Sequence, residues 1–205
     1  MHNIFFFTFI MLLTACNNKQ DKTADSKLKN SASKESGVIP LSSNGMDVDT
    51  SIAKILIYDS ASFSSVVGLH NHFCTGETFC FNSLKKDELL RLTMHPGTNV
   101  YSVSEFEVGI VDVMYKNSRV LQIEHFISGK GVKLGMSKQD IINLFGKNYK
   151  AEDSTNSFIR LNYRIEAPDD TKTRLLQRYN MPIYYSIYEF RDDKLEHFKF
   201  GFEYP

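Results

Sequence analysis

The sequence predicts an α+β fold, a mostly antiparallel sheet with one principal helix, at about residues 138–145, packed on one face. The composition favours strands, because 16 Phe and 10 Tyr occur among 205 residues and aromatic residues are enriched in strands. Several segments alternate apolar and polar residues, which indicates a sheet with one buried and one exposed face. A single segment carries both the start and the stop signals of a helix.

The first half of the chain contains short strand signals. An apolar run covers residues 55–58, and a second covers 89–94 and ends at a His-Pro-Gly turn. Apolar residues then alternate over 106–110. A turn at 116–118 is expected to lead into a further strand over 121–127, so this region predicts a hairpin.

The helix signals lie in the second half. Ser137 is suited to cap the first turn, and Asp140 stands three residues later, as in a capping box. Gly146 follows the apolar stretch, where a glycine commonly ends a helix. Three residues are predicted to face the sheet and to be buried: Ile141, Leu144 and Phe145.

The alternation is strongest after the helix. Residues 159–165 and 183–190 form two strand signals, and 197–204 forms a third. The second meets the last strand through Arg-Asp-Asp-Lys at residues 191–194, which predicts a tight hairpin. Three side chains of the last strand are predicted to be buried: Phe198, Phe200 and Phe202.

Residues 131–146 carry a family resemblance. Their sequence, Gly-Val-Lys-Leu-Gly-Met-Ser-Lys-Gln-Asp-Ile-Ile-Asn-Leu-Phe-Gly, is similar to the helical opening of SmpA/OmlA-like outer-membrane lipoproteins and of β-lactamase-inhibitor-like modules. In those families a short helical segment precedes a small antiparallel sheet, and members bind proteins through sheet faces and loops. The resemblance therefore implies protein binding. It transfers no binding residue, because the matched positions are structural.

The amino terminus predicts export. Residues 4–13 are apolar except for Thr8. As a helix they would span about 15 Å, half of the roughly 30 Å hydrocarbon core, which is typical of a signal peptide. The following Leu-Thr-Ala-Cys resembles the lipobox of bacterial lipoproteins, which implies a signal peptide over 1–15 and lipid attachment at Cys16. An ordinary secretory signal that happens to contain a cysteine is the alternative.

The chain after the signal divides by composition. Residues 16–50 are polar and predict a flexible tether with a reach of order 30 Å, and 51–205 predict the globular domain. A division of this domain into two sub-blocks, 51–127 and 128–205, is left as an open alternative. An Asp directly after the lipidated cysteine would resemble a signal for retention in the inner membrane. This chain has Asn17 at that position, so we expect the anchor in the outer membrane and the domain facing the periplasm. The inner membrane and the cell surface stay open as alternatives.

One cluster of reactive side chains stands out: His70, His72, Cys74 and Cys80. Zinc accepts these ligand types, although the spacing matches no known finger. Once Cys16 is lipidated, the two remaining cysteines are an even count in an oxidising compartment, which favours a Cys74–Cys80 disulfide. A metal site or enzyme centred on the four residues is the alternative.

Two pairs of basic residues share strand faces and are a candidate binding patch: Arg160 with Arg164, and His197 with Lys199. The alternative is that these strand faces are exposed to solvent and bind no partner. Lys plus Arg equals Asp plus Glu at 24 each, which argues against a nucleic-acid partner. The sequence contains no recognised catalytic motif and calls for no cofactor. These observations together predict a membrane-anchored envelope lipoprotein with a protein partner, and whether it is an enzyme stays open.

Overall fold

A computed structural model describes residues 48–68, 73–97, 101–155, 157–166 and 174–204. The signal peptide, Cys16, and most of the tether lie outside these residues. Within them the α+β class is confirmed, because an eight-stranded sheet and a two-stranded hairpin are combined with short helices.

The elements are numbered in chain order. They are β1 (Ser51–Ile52), β2 (Ile55–Leu56), α1 (Ser60–Val67), β3 (Thr78–Asn82), β4 (Glu88–Met94), β5 (Val103–Ile110), β6 (Arg119–Val120), α2 (Lys138–Phe145), β7 (Lys150–Thr155), β8 (Phe158–Glu166), α3 (Leu175–Tyr179), β9 (Ile183–Arg191) and β10 (Lys194–Glu203). A single 3-10 turn, Val113–Tyr115, lies between β5 and β6.

The large sheet has the strand order β6-β3-β4-β5-β10-β9-β8-β7. Neighbouring strands are antiparallel except for the short pair of β3 with β6, which is parallel. Strand β10 lies between β5 and β9, so the strands of both halves of the chain belong to one sheet. The proposed sub-blocks therefore share a sheet that is joined at its centre by β10.

One face of the sheet forms the core. Leu92, Phe106 and Phe200 lie in register across β4, β5 and β10, and each is fully buried. The predicted burial of Phe198, Phe200 and Phe202 is confirmed. The β1–β2 hairpin, α1, α2 and α3 contribute buried residues to the same hydrophobic cluster, so they cover this face.

Helix α2 begins and ends where the sequence predicts. The side chain of Ser137 accepts a hydrogen bond from the Asp140 N–H, the carboxylate of Asp140 accepts one from the Ser137 N–H, and Gly146 ends the helix with φ of 83°. Ile141 and Phe145 are buried as predicted, whereas Leu144 is 41% exposed. The prediction for Leu144 is wrong because the contacting stripe runs along Ile141 and Phe145, one turn apart, and leaves Leu144 at its edge.

Helix α1 was not predicted. Its sequence, Ser-Ala-Ser-Phe-Ser-Ser-Val-Val, is rich in serine, which competes for backbone hydrogen bonds and usually indicates a loop. The helix forms because Phe63 and Val67, one turn apart, are both buried, and because Asp59 caps its first turn. The capping aspartate and the i, i+4 apolar pair were the available signals.

The predicted hairpin over 116–127 is wrong. After the 3-10 turn the chain adds only β6 to the sheet edge, and residues 121–127 form no strand. The N–H of Leu84 donates to the carbonyl of Ile123, and the N–H of Ala53 donates to the carbonyl of Ile127. Leu121 and Phe126 are buried and Ile127 is 42% exposed, so burial in this segment does not alternate as it would in a strand.

The folded part of the chain includes residues that precede position 51. Val48 and Asp49 are buried, 4% and 1% exposed. The Asp49 carboxylate accepts hydrogen bonds from the Ser128 hydroxyl at 2.8 Å and from the Lys130 N–H at 2.7 Å. The Tyr184 hydroxyl donates to the Asp49 carbonyl oxygen at 2.7 Å, so the start of the domain is bonded to β9.

Candidate functional site

The candidate site is the open face of the sheet, which we define as the side chains of β4, β5, β8, β9 and β10 that point away from the core. The four residues of the predicted basic patch all lie on this face: Arg160, Arg164, His197 and Lys199. The structure therefore brings together two pairs that the sequence could only place on separate strands.

Glutamates alternate with the basic residues on the open face. Arg160 pairs with Glu189 through a 2.8 Å hydrogen bond from its Nε, and His197 Nε2 lies 2.8 Å from an oxygen of Glu107. Glu107 also binds Arg91. The result is a chain of alternating basic and acidic side chains across five strands, so the surface is close to neutral and does not suit a polyanion.

The other two patch residues have their own partners. Arg164 forms ion pairs with Glu166 and Glu203. The Lys199 ammonium lies 5.5 Å from the ring centroid of Tyr185, a cation–π distance. The sequence analysis missed these partners, because the strand register decides which side chains become neighbours. The sequence offered one signal for these neighbours: alternate residues of β9 point to the same face, so Tyr185, Ile187 and Glu189 lie together on it.

Two carboxyl groups on the open face have shifted pKa values. Burial alone would raise the pKa of Glu107, but hydrogen bonds from His197 and Arg91 outweigh it and lower the pKa from 4.5 to about 2. Burial raises the pKa of the neighbouring Glu105, with Lys199 partly opposing the shift. The network therefore holds Glu107 ionised far into the acid range.

Because Glu107 is ionised in the folded protein, the free energy of unfolding should depend on pH in the acid range. Its pKa in the folded protein is below the ordinary value, so its contribution is complete above that value and is lost as pH falls toward the folded pKa. Between about pH 5 and pH 2 this loss is expected to reach about 2 kcal/mol, allowing for partial solvent screening. Urea denaturation across this range measures it. Glu107→Gln should flatten the dependence, whereas Glu124→Gln, an exposed glutamate outside the network, should not.

A groove of about 540 Å³ crosses the open face between β7 and β10. Its size is within the range of ligand-binding clefts. Tyr185 and Ile187 give it apolar surface, and Lys150, Arg164 and Glu203 give it charges of both signs. The buried Oδ1 of Asn162, another lining residue, accepts no hydrogen bond from the described part of the chain. The groove thus combines apolar contact area with polar groups that can orient a ligand.

The predicted disulfide is confirmed. Cys74 and Cys80 are bonded, with a Cα–Cα distance of 5.6 Å. The backbone explains the closure, because the Cys74 N–H donates to the Thr78 carbonyl and the Thr78 N–H to the Thr75 carbonyl. Both sulfurs are therefore unavailable as thiolate ligands, and His70 and His72 lie outside the described residues. The metal alternative loses two of its four donors.

Loss of the disulfide should have a modest effect on stability. Thiol titration of unreduced protein should find neither Cys74 nor Cys80 free. Replacing both with Ser should lower the free energy of unfolding by about 2 kcal/mol or less, because the closed loop is short. A loss much larger than this, or free thiols in the folded protein, would contradict the assignment.

The described ranges contain no group of three or more His, Cys, Asp and Glu side chains placed to hold a metal ion. Among the helices that the structure describes, none is long and apolar enough to cross a bilayer. Comparisons with protein-family models, with curated proteins and with solved structures found no match to this chain.

Proposed function

We propose that the protein is a membrane-anchored bacterial envelope lipoprotein that binds another envelope protein with the open face of its sheet and catalyses no reaction. The groove between β7 and β10 carries this proposal, because it is a formed cleft that combines apolar contact area with charged groups of both signs.

The groove suits a segment of a protein partner. Tyr185 and Ile187 offer contact area that loses little side-chain entropy on binding, as aromatic anchors do in protein interfaces. Arg164 is already held by Glu166 and Glu203, so the charged rim is oriented before a partner arrives. A preorganised rim lowers the entropy lost on association. Because both signs of charge are present, a partner segment of mixed charge fits better than a uniformly acidic one.

The sequence supports the remaining parts of the proposal. The apolar run before Leu-Thr-Ala-Cys and the polar stretch after it suit a lipid anchor on Cys16 with a tether. The likeness of residues 131–146 to lipoprotein modules that bind proteins through sheet faces points to the same surface. Because Asn17, and not Asp, follows Cys16, the proposal places the anchor in the outer membrane, with the domain in the periplasm.

Partner capture from native membranes tests the binding surface. The mature lipoprotein, carrying a carboxy-terminal affinity tag, would be crosslinked in its own envelope and purified, and the copurifying proteins identified. We expect Tyr185→Ala with Ile187→Ala to reduce capture of the same partner at least tenfold. Leu144→Ala, which removes an exposed apolar side chain on α2, is the matched control and should leave capture unchanged.

Circular dichroism and thermal unfolding of each variant would separate lost binding from lost folding. Capture that persists in a folded double variant would show that the groove is not the binding surface. The absence of any specific partner for the wild-type protein would contradict the proposed function itself.

Lipid attachment is tested at Cys16. The Cys16→Ala variant should no longer fractionate with membranes, because two or three acyl chains on one residue are the source of stable attachment. Fractionation with and without a high-salt wash measures this. A variant that stays with the membrane after the wash would contradict the lipobox interpretation.

A further inference from the structure

Three large apolar side chains stand in solvent at one end of the sheet. Ile110, Val113 and Met114 are 60%, 74% and 77% exposed, whereas every other exposed large apolar side chain in the described residues is less than half exposed. We define residues 110–116 as the apolar tip. Scattered apolar side chains on a surface need no explanation, but three within five residues form a feature.

The fold holds the apolar tip in place. The side chain of Asn82 on β3 is fully buried and shares its Nδ2 hydrogens among three carbonyl oxygens: Tyr115 at 3.0 Å, Lys116 at 3.2 Å and Ser118 at 3.3 Å. Asp112 accepts a hydrogen bond from the Met114 N–H at 3.3 Å. The apolar side chains are therefore presented by an ordered turn, and ordering it upon binding carries little further entropy loss.

Three exposed lysines lie within or beside the apolar tip. The Val111 N–H donates to the Asp87 carbonyl oxygen at 3.1 Å, which places the β3–β4 turn, with exposed Lys85 and Lys86, beside the tip. Lys116 is exposed within the tip. Of the nearby carboxylates, Asp87 accepts a hydrogen bond from the Ser83 hydroxyl and Asp112 accepts one from the Met114 N–H; both residues are exposed, so two negative charges stand against the three lysines.

We propose that the apolar tip docks on an anionic lipid bilayer, with Val113 and Met114 entering the acyl boundary and Lys85, Lys86 and Lys116 contacting lipid phosphates. Lysine stems can lie along apolar surface while their ammonium groups reach the headgroups, and apolar and electrostatic attraction add at such an interface. The proposal builds on the proposed anchor at Cys16, whose tether would keep the domain within reach of the membrane.

A bilayer fits this surface better than a protein partner does. A stable protein interface takes about 20 to 30 residues from each side. The apolar tip offers three exposed apolar side chains with three lysines within or beside it, which is too small for the centre of such an interface. Shallow insertion into a bilayer needs only a few side chains when anionic lipid adds to the attraction.

Vesicle binding by an unlipidated chain tests the proposal. A fragment of residues 17–205 contains the whole described fold and lacks Cys16. It should bind vesicles of phosphatidylcholine with phosphatidylglycerol and should bind pure phosphatidylcholine much more weakly. Val113→Asp with Met114→Asp should lower the partition coefficient at least tenfold. Removing Lys85 or Lys86 should lower it about fivefold each, the effect expected of one lysine near an anionic surface.

The matched control is Leu144→Asp, which changes an exposed apolar side chain on α2 and should leave vesicle binding unchanged. Failure of the wild-type fragment to bind anionic vesicles, or equal binding by the Val113 and Met114 double variant, would overturn the proposal. Equal binding to neutral and anionic vesicles would overturn the role of the lysines. In the lipidated protein, the same double variant should retain partner capture by the groove, so failure here is distinguishable from failure of the proposed function.

Discussion

Gly201→Ala should lower the free energy of unfolding by about 3 kcal/mol, a large loss for a single methyl group. Strand β10 passes so close to β5 at this position that a Cβ would lie 2.5 Å from the Ser104 carbonyl oxygen and 2.8 Å from the Glu105 Cα. Both are backbone atoms, so relief requires the two central strands to separate. Thermal unfolding measures the effect, and the expected decrease in Tm is about 6–12 °C for a domain of this size.

Gly109→Ala is the matched control in the same strand pair. A Cβ at position 109 would meet the Cδ2 atom of the His197 ring at 3.2 Å, and a side chain can adjust by a few tenths of an ångström. We expect a loss below about 1 kcal/mol for this variant. Equal losses for the two substitutions would show that strand separation is not what limits position 201.

Removal of residues 40–50 should destabilise the domain by on the order of 4 kcal/mol. A fragment that starts at 51 keeps every strand and helix of the described fold, but it loses the buried Val48 and Asp49. The Asp49 carboxylate accepts hydrogen bonds from Ser128 and Lys130, and these donors would lose their partner in a poorly solvated place. Urea denaturation of fragments 40–205 and 51–205 measures the difference.

Two point variants of the longer fragment divide this effect. Asp49→Ala should account for about 3 kcal/mol, because it leaves donors without a partner, and Val48→Ala should account for about 1 kcal/mol. If the fragments 40–205 and 51–205 unfold at the same urea concentration, residues 48–50 do not stabilise the domain and the boundary predicted from composition would stand.

Local patterns explain which parts of the fold the sequence could predict. Helix α2 has its caps and its apolar stripe within ten residues, and the disulfide closes a loop of seven. The alternation of β8 and β10 also reports directly on one buried face. Each of these signals is complete within a short segment, so no knowledge of the rest of the chain is required.

The remaining parts depend on contacts between distant segments. The pairing of Arg160 with Glu189 and of His197 with Glu107 follows from strand register, which alternation alone does not specify. The polar composition of 16–50 predicts a tether and gives no sign that Asp49 is buried. Its carboxylate is hydrogen-bonded to residues about 80 positions later in the chain. The sequence of residues 121–127 alternates like a strand, yet beyond Leu121 the backbone is bonded to Leu84 of the β3–β4 turn and to Ala53 of the β1–β2 turn.

The central position of β10 has a consequence for how the chain acquires its fold. It is the last strand of the described chain, and it alone joins β5 to β9. Until it pairs, β5 has an unpaired edge, and no strand connects the β3–β5 block to the β7–β9 block. Sheet completion therefore waits for β10, and contacts of such long sequence separation form slowly. During this interval the unfinished sheet exposes apolar surface and strand edges, which favour aggregation.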